Sequence, residues 1–286
     1  MKIGLVLEGG AMRGMYTAGV MDIMMDHDIH FDGIIGVSAG ALFGVNYLSR
    51  QRGRVIRYNK KYNGRKDYMG ILPLLKEGNI VRTRLAYDRV PRLFDVFDND
   101  TFKASETEFY AVVTNLQNGQ PEYMRVKDVY EQMDVLRASG SMPFVSKPVQ
   151  IDGQYYLDGG VSDSIPFDFF EKQGYDRLVV VLTRDLDYRK KAMSPLMIEA
   201  SYHKYPEFCE QLKKRHEVYN RSVRMLKRQE EKGEIFVIRP SLPITIRRIE
   251  SDPEKLQMVY EQGLKDATDS MEQLQAYLQD SFGKNV

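Results

Sequence analysis

One cysteine in 286 residues, Cys209, excludes an internal disulfide framework and a cysteine-rich metal site, and it fits a reducing compartment. An excess of charge of either sign is also missing. The 41 Lys and Arg stand against 40 Asp and Glu, a net charge of +1, which argues against bulk nucleic-acid binding and leaves only local charge to interpret. No apolar run reaches the roughly eighteen residues that a membrane-spanning helix needs. The short apolar stretch between Lys2 and Glu8 is too brief for a signal-peptide core. A soluble, cytoplasmic protein is expected, touching membranes only peripherally. Histidine is scarce as well, with four in the chain, which limits the ways a catalytic base can be supplied.

Two glycine-framed turns occupy the first forty residues. Glu8-Gly9-Gly10-Ala11-Met12-Arg13-Gly14 follows the apolar run Ile3–Leu7 and precedes residues 15–25, whose apolar positions recur at helical spacing. Gly36-Val37-Ser38-Ala39-Gly40 follows Ile34-Ile35 and precedes a second apolar helical stretch. The chain therefore opens as strand, loop, helix, strand, elbow, helix, a parallel α/β start that places both loops on one edge of the sheet.

Beyond the elbow, residues 50–66 carry eight Lys or Arg and no acid. A solvated helix and loop, or a landing surface for anionic head groups or substrate phosphate, both fit this composition. Residues 64–104 mix short apolar clusters with breakers and are the candidate cap or lid. Glu108–Thr114 reads as a strand, with Asn118-Gly119 as a hairpin-type turn and Tyr123–Val126 as its partner. A helix is expected over Val129–Ala138. Val149–Ile151 and Gln154–Leu157 flank a second two-residue turn, Asp152-Gly153. Arg177–Thr183 has the continuous apolar character of a buried parallel strand. Residues 206–232 and 253–281 read as long charged helices around a strand at Ile235–Ile238. The expected division is a catalytic domain over 1–185 and a mainly helical C-terminal region over 186–286, packed on the domain or appended to it.

A serine at a strand-to-helix elbow exposes its hydroxyl in a strained turn, and it also lies at a helix N-terminus that favours developing negative charge. Gly36 and Gly40 keep the neighbouring backbone close to Ser38. The histidines are poorly placed to serve it. His27 and His30 precede the elbow, and His203 and His216 fall in a strongly polar region where surface positions are expected. Asp158 is the stronger candidate for the base: it closes an apolar strand, and Gly159-Gly160 let the chain turn away behind it. A carboxylate in reach of the Ser38 hydroxyl can act as general base directly, which suits esters better than amides because an alkoxide leaves with less proton assistance. Backbone N–H groups of Gly10, Ala11 and Met12 are the candidates for stabilising the oxyanion. Arg13 braces this loop or attracts a phosphate. A nucleotide cradle is disfavoured, because neither Gly-x-x-x-x-Gly-Lys-Ser/Thr nor Gly-x-Gly-x-x-Gly is present.

Taken together, Glu8–Gly14, Gly36–Gly40 and Asp158-Gly159-Gly160 resemble the three signature blocks of the patatin-like phospholipases, and Ala138–Phe144 resembles the segment that precedes the family's aspartate. The resemblance covers about residues 3–183. It implies a three-layer α/β/α fold with a mainly parallel sheet, a catalytic Ser38–Asp158 dyad, and an oxyanion hole at Gly9, Gly10 and Ala11. Arg13, Gly14, Gly36, Gly40, Gly159 and Gly160 would support these motifs. The implied activity is lipid acyl hydrolysis through an acyl-enzyme, with no metal and no cofactor. Ala11 departs from the family's commonest pattern, which has a third consecutive glycine there. Two alternatives keep the same fold: an esterase or thioesterase for soluble acyl substrates, and a lipid-binding regulatory module with little turnover.

Overall fold

The computed structural model describes residues 1–279. Eight strands form one sheet: β1 (Ile3–Leu7), β2 (Gly33–Val37), β3 (Glu108–Asn115), β4 (Pro121–Val126), β5 (Val149–Ile151), β6 (Gln154–Asp158), β7 (Arg177–Val181) and β8 (Ile235–Ile238). The helices are α1 (Met15–Asp26), α2 (Ala39–Leu48), α3 (Arg54–Tyr62), α4 (Ile71–Glu77), α5 (Asn99–Ala104), α6 (Met133–Ser139), α7 (Phe167–Lys172), α8 (Pro195–Tyr202), α9 (Pro206–Glu231) and α10 (Pro253–Gln279). A π-helix spans Leu85–Phe94, with Pro91 inside it. The helix expected to run to residue 281 is seen to Gln279; its last two residues lie outside the described ones.

The sheet runs β5-β6-β3-β2-β1-β7-β8, with β4 beside β3. β3-β2-β1-β7-β8 are parallel, while β4, β6 and β5 join through antiparallel pairings. Alternation along the strands makes three layers. Leu5, Leu7, Ile34, Val179 and Val181 enter a core shared with α1, α2, α3 and α10. Val6, Ile35, Val37, Val180 and Leu182 enter a second core with Phe167, Phe170, Tyr219 and Leu226 of α7 and α9. The sheet continues past residue 185, because β8 pairs in parallel with β7. Its flanking helices α9 and α10 cover opposite faces.

The α10 contact with α1 is close enough to need glycine on both sides. A Cβ at Gly19 would lie 2.2 Å from the Tyr260 carbonyl oxygen, and one at Gly263 would lie 2.1 Å from that of Tyr16. The helix expected from Val129 begins later, at Met133. The Asp128 carboxylate accepts from the Tyr130 and Glu131 amides at 2.9 and 3.0 Å, a local turn that competes with helix at that point.

The register of β3 positions the site. β4 pairs with Phe109–Thr114 on one edge, so β2, opposite Glu108–Val112, and β6, opposite Val113–Asn115, share the other. β6 takes up the edge where β2 leaves it, and the end of β6 meets the end of β2.

Candidate active site

Ser38 follows β2 with φ 55° and ψ −121°, in the left-handed half of backbone space that a non-glycine residue enters only when its surroundings hold it there. The surroundings are tight. A Cβ at Gly36 would sit 2.5 Å from the Ala41 nitrogen, and one at Gly40 would sit 2.3 Å from the Leu7 carbonyl oxygen. Side chains at either position would force the elbow away from β1 and open the turn. The Ser38 amide donates to Ser139 Oγ at 2.9 Å, so the buried end of α6 holds the elbow from behind. Ser139 belongs to the small-residue segment noted in the sequence, but only the fold brings it to Ser38.

Asp158 is 4 % exposed and Ser38 is 7 % exposed. The Asp158 backbone is held on two sides: its amide donates to the Ser141 carbonyl at 2.9 Å, and its own carbonyl accepts from Thr114 Oγ1 at 2.9 Å. Its carboxylate accepts from the Gly160 amide at 2.8 Å. Burial pushes the Asp158 carboxyl above the ordinary carboxylate range, while the Arg215 guanidinium, the Ser38 hydroxyl and the Gly160 amide pull it back. Gly159 packs directly on β3, where a Cβ would lie 2.2 Å from the Val112 carbonyl oxygen.

The first loop lies beside them. Gly9, Gly10, Ala11 and Arg13 line the same chamber as Ser38 and Asp158, and Gly14 caps the start of α1. Ala11 has φ 48°, so this alanine occupies the conformation that a glycine takes more easily. The Met12 amide is already used: it donates to the Arg248 carbonyl at 3.3 Å. Glu8 is buried, and its carboxylate ties the loop down by accepting from the Thr183 amide at 2.6 Å, Thr183 Oγ1 at 3.1 Å and the Tyr219 hydroxyl at 2.8 Å. This brace is invisible in the sequence, because Tyr219 lies on α9, 211 positions away.

Ser38 also borders a second cleft. It is mostly apolar, with about 1240 Å³ of empty space including its open mouth. Leu42, Phe43, Met133 and Leu136 line it from the core, and Tyr68, Ile80, Tyr87 and Val90 line it from the 64–104 segment. The same segment exposes Ile71, Leu75, Leu93 and Phe94, at 74, 79, 68 and 47 %. The basic stretch at 50–66 is not a free cationic face. Arg50, Arg52, Arg54, Arg57 and Arg65 pair with Asp28, Asp26, Asp95, Asp95 and Asp67, and Arg54 is buried.

Among the described residues, no histidine lines either cavity and no group of three His, Cys, Asp or Glu side chains converges as a metal site. No described helix is long and apolar enough to cross a membrane.

The chain is similar to several known proteins. Residues 205–279 match a domain of unknown function, DUF6363. The uncharacterized protein YjjU of Escherichia coli K12 is 32% identical over 195 residues, covering 64% of this chain and 52% of YjjU. Lysophospholipase nte1 of Aspergillus fumigatus is 29% identical over 187 residues, covering 65% of this chain and 12% of nte1. The chain thus matches about half of one relative and about an eighth of the other. VipD from Legionella pneumophila aligns in structure with TM-score 0.46 and 14% identity, over 95% of this chain and 67% of VipD. The model of the patatin-like phospholipases matches residues 5–170, more than half of the chain and the span that holds both the serine elbow and the aspartate turn. This chain belongs to the patatin-like phospholipase family.

Proposed function

We propose that the protein is a serine acyl hydrolase acting on phospholipid or related lipid esters, with Ser38 as nucleophile and Asp158 as its base. The observation that carries this reading is a strained, buried serine beside a buried carboxylate, with the serine also lining a mostly apolar cleft. The Asp158 carboxylate takes the Ser38 Oγ proton as Oγ bonds to the ester carbonyl carbon. The Gly10 and Ala11 amides stabilise the resulting oxyanion, with Gly9 keeping the loop close. Collapse breaks the bond to the leaving oxygen, which takes the proton from Asp158 and departs as an alcohol. A water, deprotonated by the same carboxylate, then releases the fatty acid and restores Ser38. Burial favours this role, because a carboxylate with a raised pKa is a stronger base.

Two features favour a lipid over a soluble ester. The apolar cleft suits an acyl chain, and the lid segment that lines it exposes Ile71, Leu75 and Leu93 toward solvent. Peripheral contact with a lipid surface is therefore assigned to the apolar lid rather than to the ion-paired stretch at 50–66. Hydrolysis of one lysophospholipid measured below and above its critical micelle concentration tests this reading. The expected result is a step up in rate with micelles, smaller in Leu75→Asp. A rate that follows monomer concentration alone would favour a soluble acyl substrate.

A further inference from the structure

Ser38 lines two cavities. Besides the mostly apolar cleft it borders a second chamber of mixed lining, with about 740 Å³ of empty space including its mouth. Five cationic side chains line it: Arg13, Arg184, Lys190, Arg215 and Arg248. Its two carboxylates, Glu8 and Asp158, are the loop brace and the proposed base, and each already accepts hydrogen bonds from neutral donors. Among the described residues, none of the five cations forms a salt bridge with a carboxylate.

These cations are held by weaker partners. Arg215 Nε donates to the Gly160 carbonyl at 2.5 Å, Lys190 Nζ donates to Ser164 Oγ at 3.4 Å, and the Lys190 ammonium lies 3.9 Å from the Tyr219 ring centre. The Arg184 guanidinium lies 4.0 Å from the Tyr188 ring centre. Arg13 is 8 % exposed, and its Nε has no hydrogen-bond partner. The charges also oppose one another. Burial, then the Arg184 charge, lowers Arg13 to about 10, and burial followed by the Arg215 charge holds Lys190 well below the ordinary lysine value. Five cations face only two carboxylates, Glu8 and Asp158, so the chamber holds an excess of positive charge that a further anion would offset.

We propose that this chamber is a phosphate subsite that selects acyl esters carrying a phosphomonoester, with the acyl chain in the apolar cleft and the scissile carbonyl at Ser38. The proposal rests on Ser38 being the acyl-transfer nucleophile. A phosphomonoester is dianionic near neutral pH, and its oxygens match the guanidinium fork. A phosphocholine group brings its own cation into the cluster and loses part of that attraction. Arg184, Lys190, Arg215 and Arg248 all lie beyond the family-matched residues 5–170, and Arg215 and Arg248 lie within the 205–279 region. The C-terminal region thereby acquires a role: it completes the headgroup side of the site, with the carbonyl of Arg248 tied to the oxyanion loop through the Met12 amide.

The test compares 1-acyl-glycerol 3-phosphate with the 1-acyl-glycerophosphocholine of the same chain, both below their critical micelle concentrations, on the full-length protein. The expected kcat/KM ratio is at least about tenfold in favour of the phosphomonoester. Glycerol 3-phosphate should inhibit competitively, and Lys190→Met and Arg184→Gln should each cut the preference several-fold. Arg184 and Lys190 are both half-buried, so either variant is informative where the other folds poorly. Shortening the acyl chain separates the sources: a steep loss of rate assigns the phosphate to a lipid headgroup, and retention assigns it to a soluble phosphorylated ester, both within the proposal. Equal or reversed preference in protein whose Ser38 is acylated by a neutral p-nitrophenyl ester would overturn the subsite while leaving the hydrolase intact. Failure to turn over that neutral ester at all would instead remove the reading on which the subsite rests.

Discussion

Val37 and Asp158 take consecutive places along one edge of β3: Val37 lies opposite Val112, and Asp158 lies opposite Val113. Ser38, the next residue after Val37, therefore arrives beside Asp158 by backbone register, before any side-chain contact is considered. A pair placed in this way depends on the strand edges staying in register and on whatever holds the elbow against them.

Ser139 is the side chain that holds it. Ser139→Ala removes the acceptor for the Ser38 amide and leaves a buried donor unpaired, which should lower stability by about 1–3 kcal/mol. Turnover should fall in kcat more than it rises in KM, because the group displaced is the proposed nucleophile. Thermal unfolding and steady-state kinetics on a neutral ester check both parts.

Arg215 bears on Asp158, the proposed base. Its charge pulls the raised Asp158 pKa back down, so Arg215→Met should raise that pKa further. A base works only when ionised, so the acidic limb of kcat/KM for a neutral ester should move to higher pH in the variant. An unmoved limb would mean that Asp158 is not the titrating group or that Arg215 does not reach it.

Much of this arrangement is legible in the sequence because it is local. Glycine-framed turns after apolar runs announce the loop and the elbow, and Asn118-Gly119 and Asp152-Gly153 announce the two hairpins that the sheet contains. What escapes sequence reading is non-local. Lys190 sits in an irregular stretch and Arg215 on a charged helix, and nothing in their neighbourhoods shows that both face Ser38. The eight basic residues at 50–66 mislead for the same reason, since Asp26, Asp28 and Asp95, which neutralise Arg52, Arg50, Arg54 and Arg57, lie elsewhere in the chain. The π-helix at 85–94 is masked by Pro91, which reads as a breaker.

The α1–α10 contact should tolerate no side chain. Gly263→Ala places a methyl 2.1 Å from the Tyr16 carbonyl oxygen, so the helices must separate, and a loss of roughly 2–4 kcal/mol is expected. Because α1 starts at the end of the loop proposed to bind the oxyanion, activity should fall in the fraction that stays folded. Differential scanning calorimetry beside an activity assay measures both effects.

Asp163 supplies a pH signature of stability. Burial pushes its carboxyl up to about 6, against the pull of the Tyr123 hydroxyl, which donates to it at 2.9 Å. A folded-state pKa above the unfolded value of 3.8 gives stability that is fully present below that value and is lost as pH rises through about 6. Asp163→Asn should therefore flatten this part of the profile and gain up to about 3 kcal/mol over wild type at neutral pH. Denaturant melts at pH 4 and pH 7 reveal whether the gap between variant and wild type widens as pH rises.

An activated Ser38 served by Asp158 should react with an electrophile that mimics an ester. Intact-mass analysis after exposure to a fluorophosphonate, with mapping of the modified peptide, addresses this most directly. One adduct on Ser38 is expected, absent in Ser38→Ala and formed about 10²- to 10⁴-fold more slowly in Asp158→Asn. Folded wild-type protein that stays unmodified, or that carries the adduct at another residue, would contradict this role for Ser38.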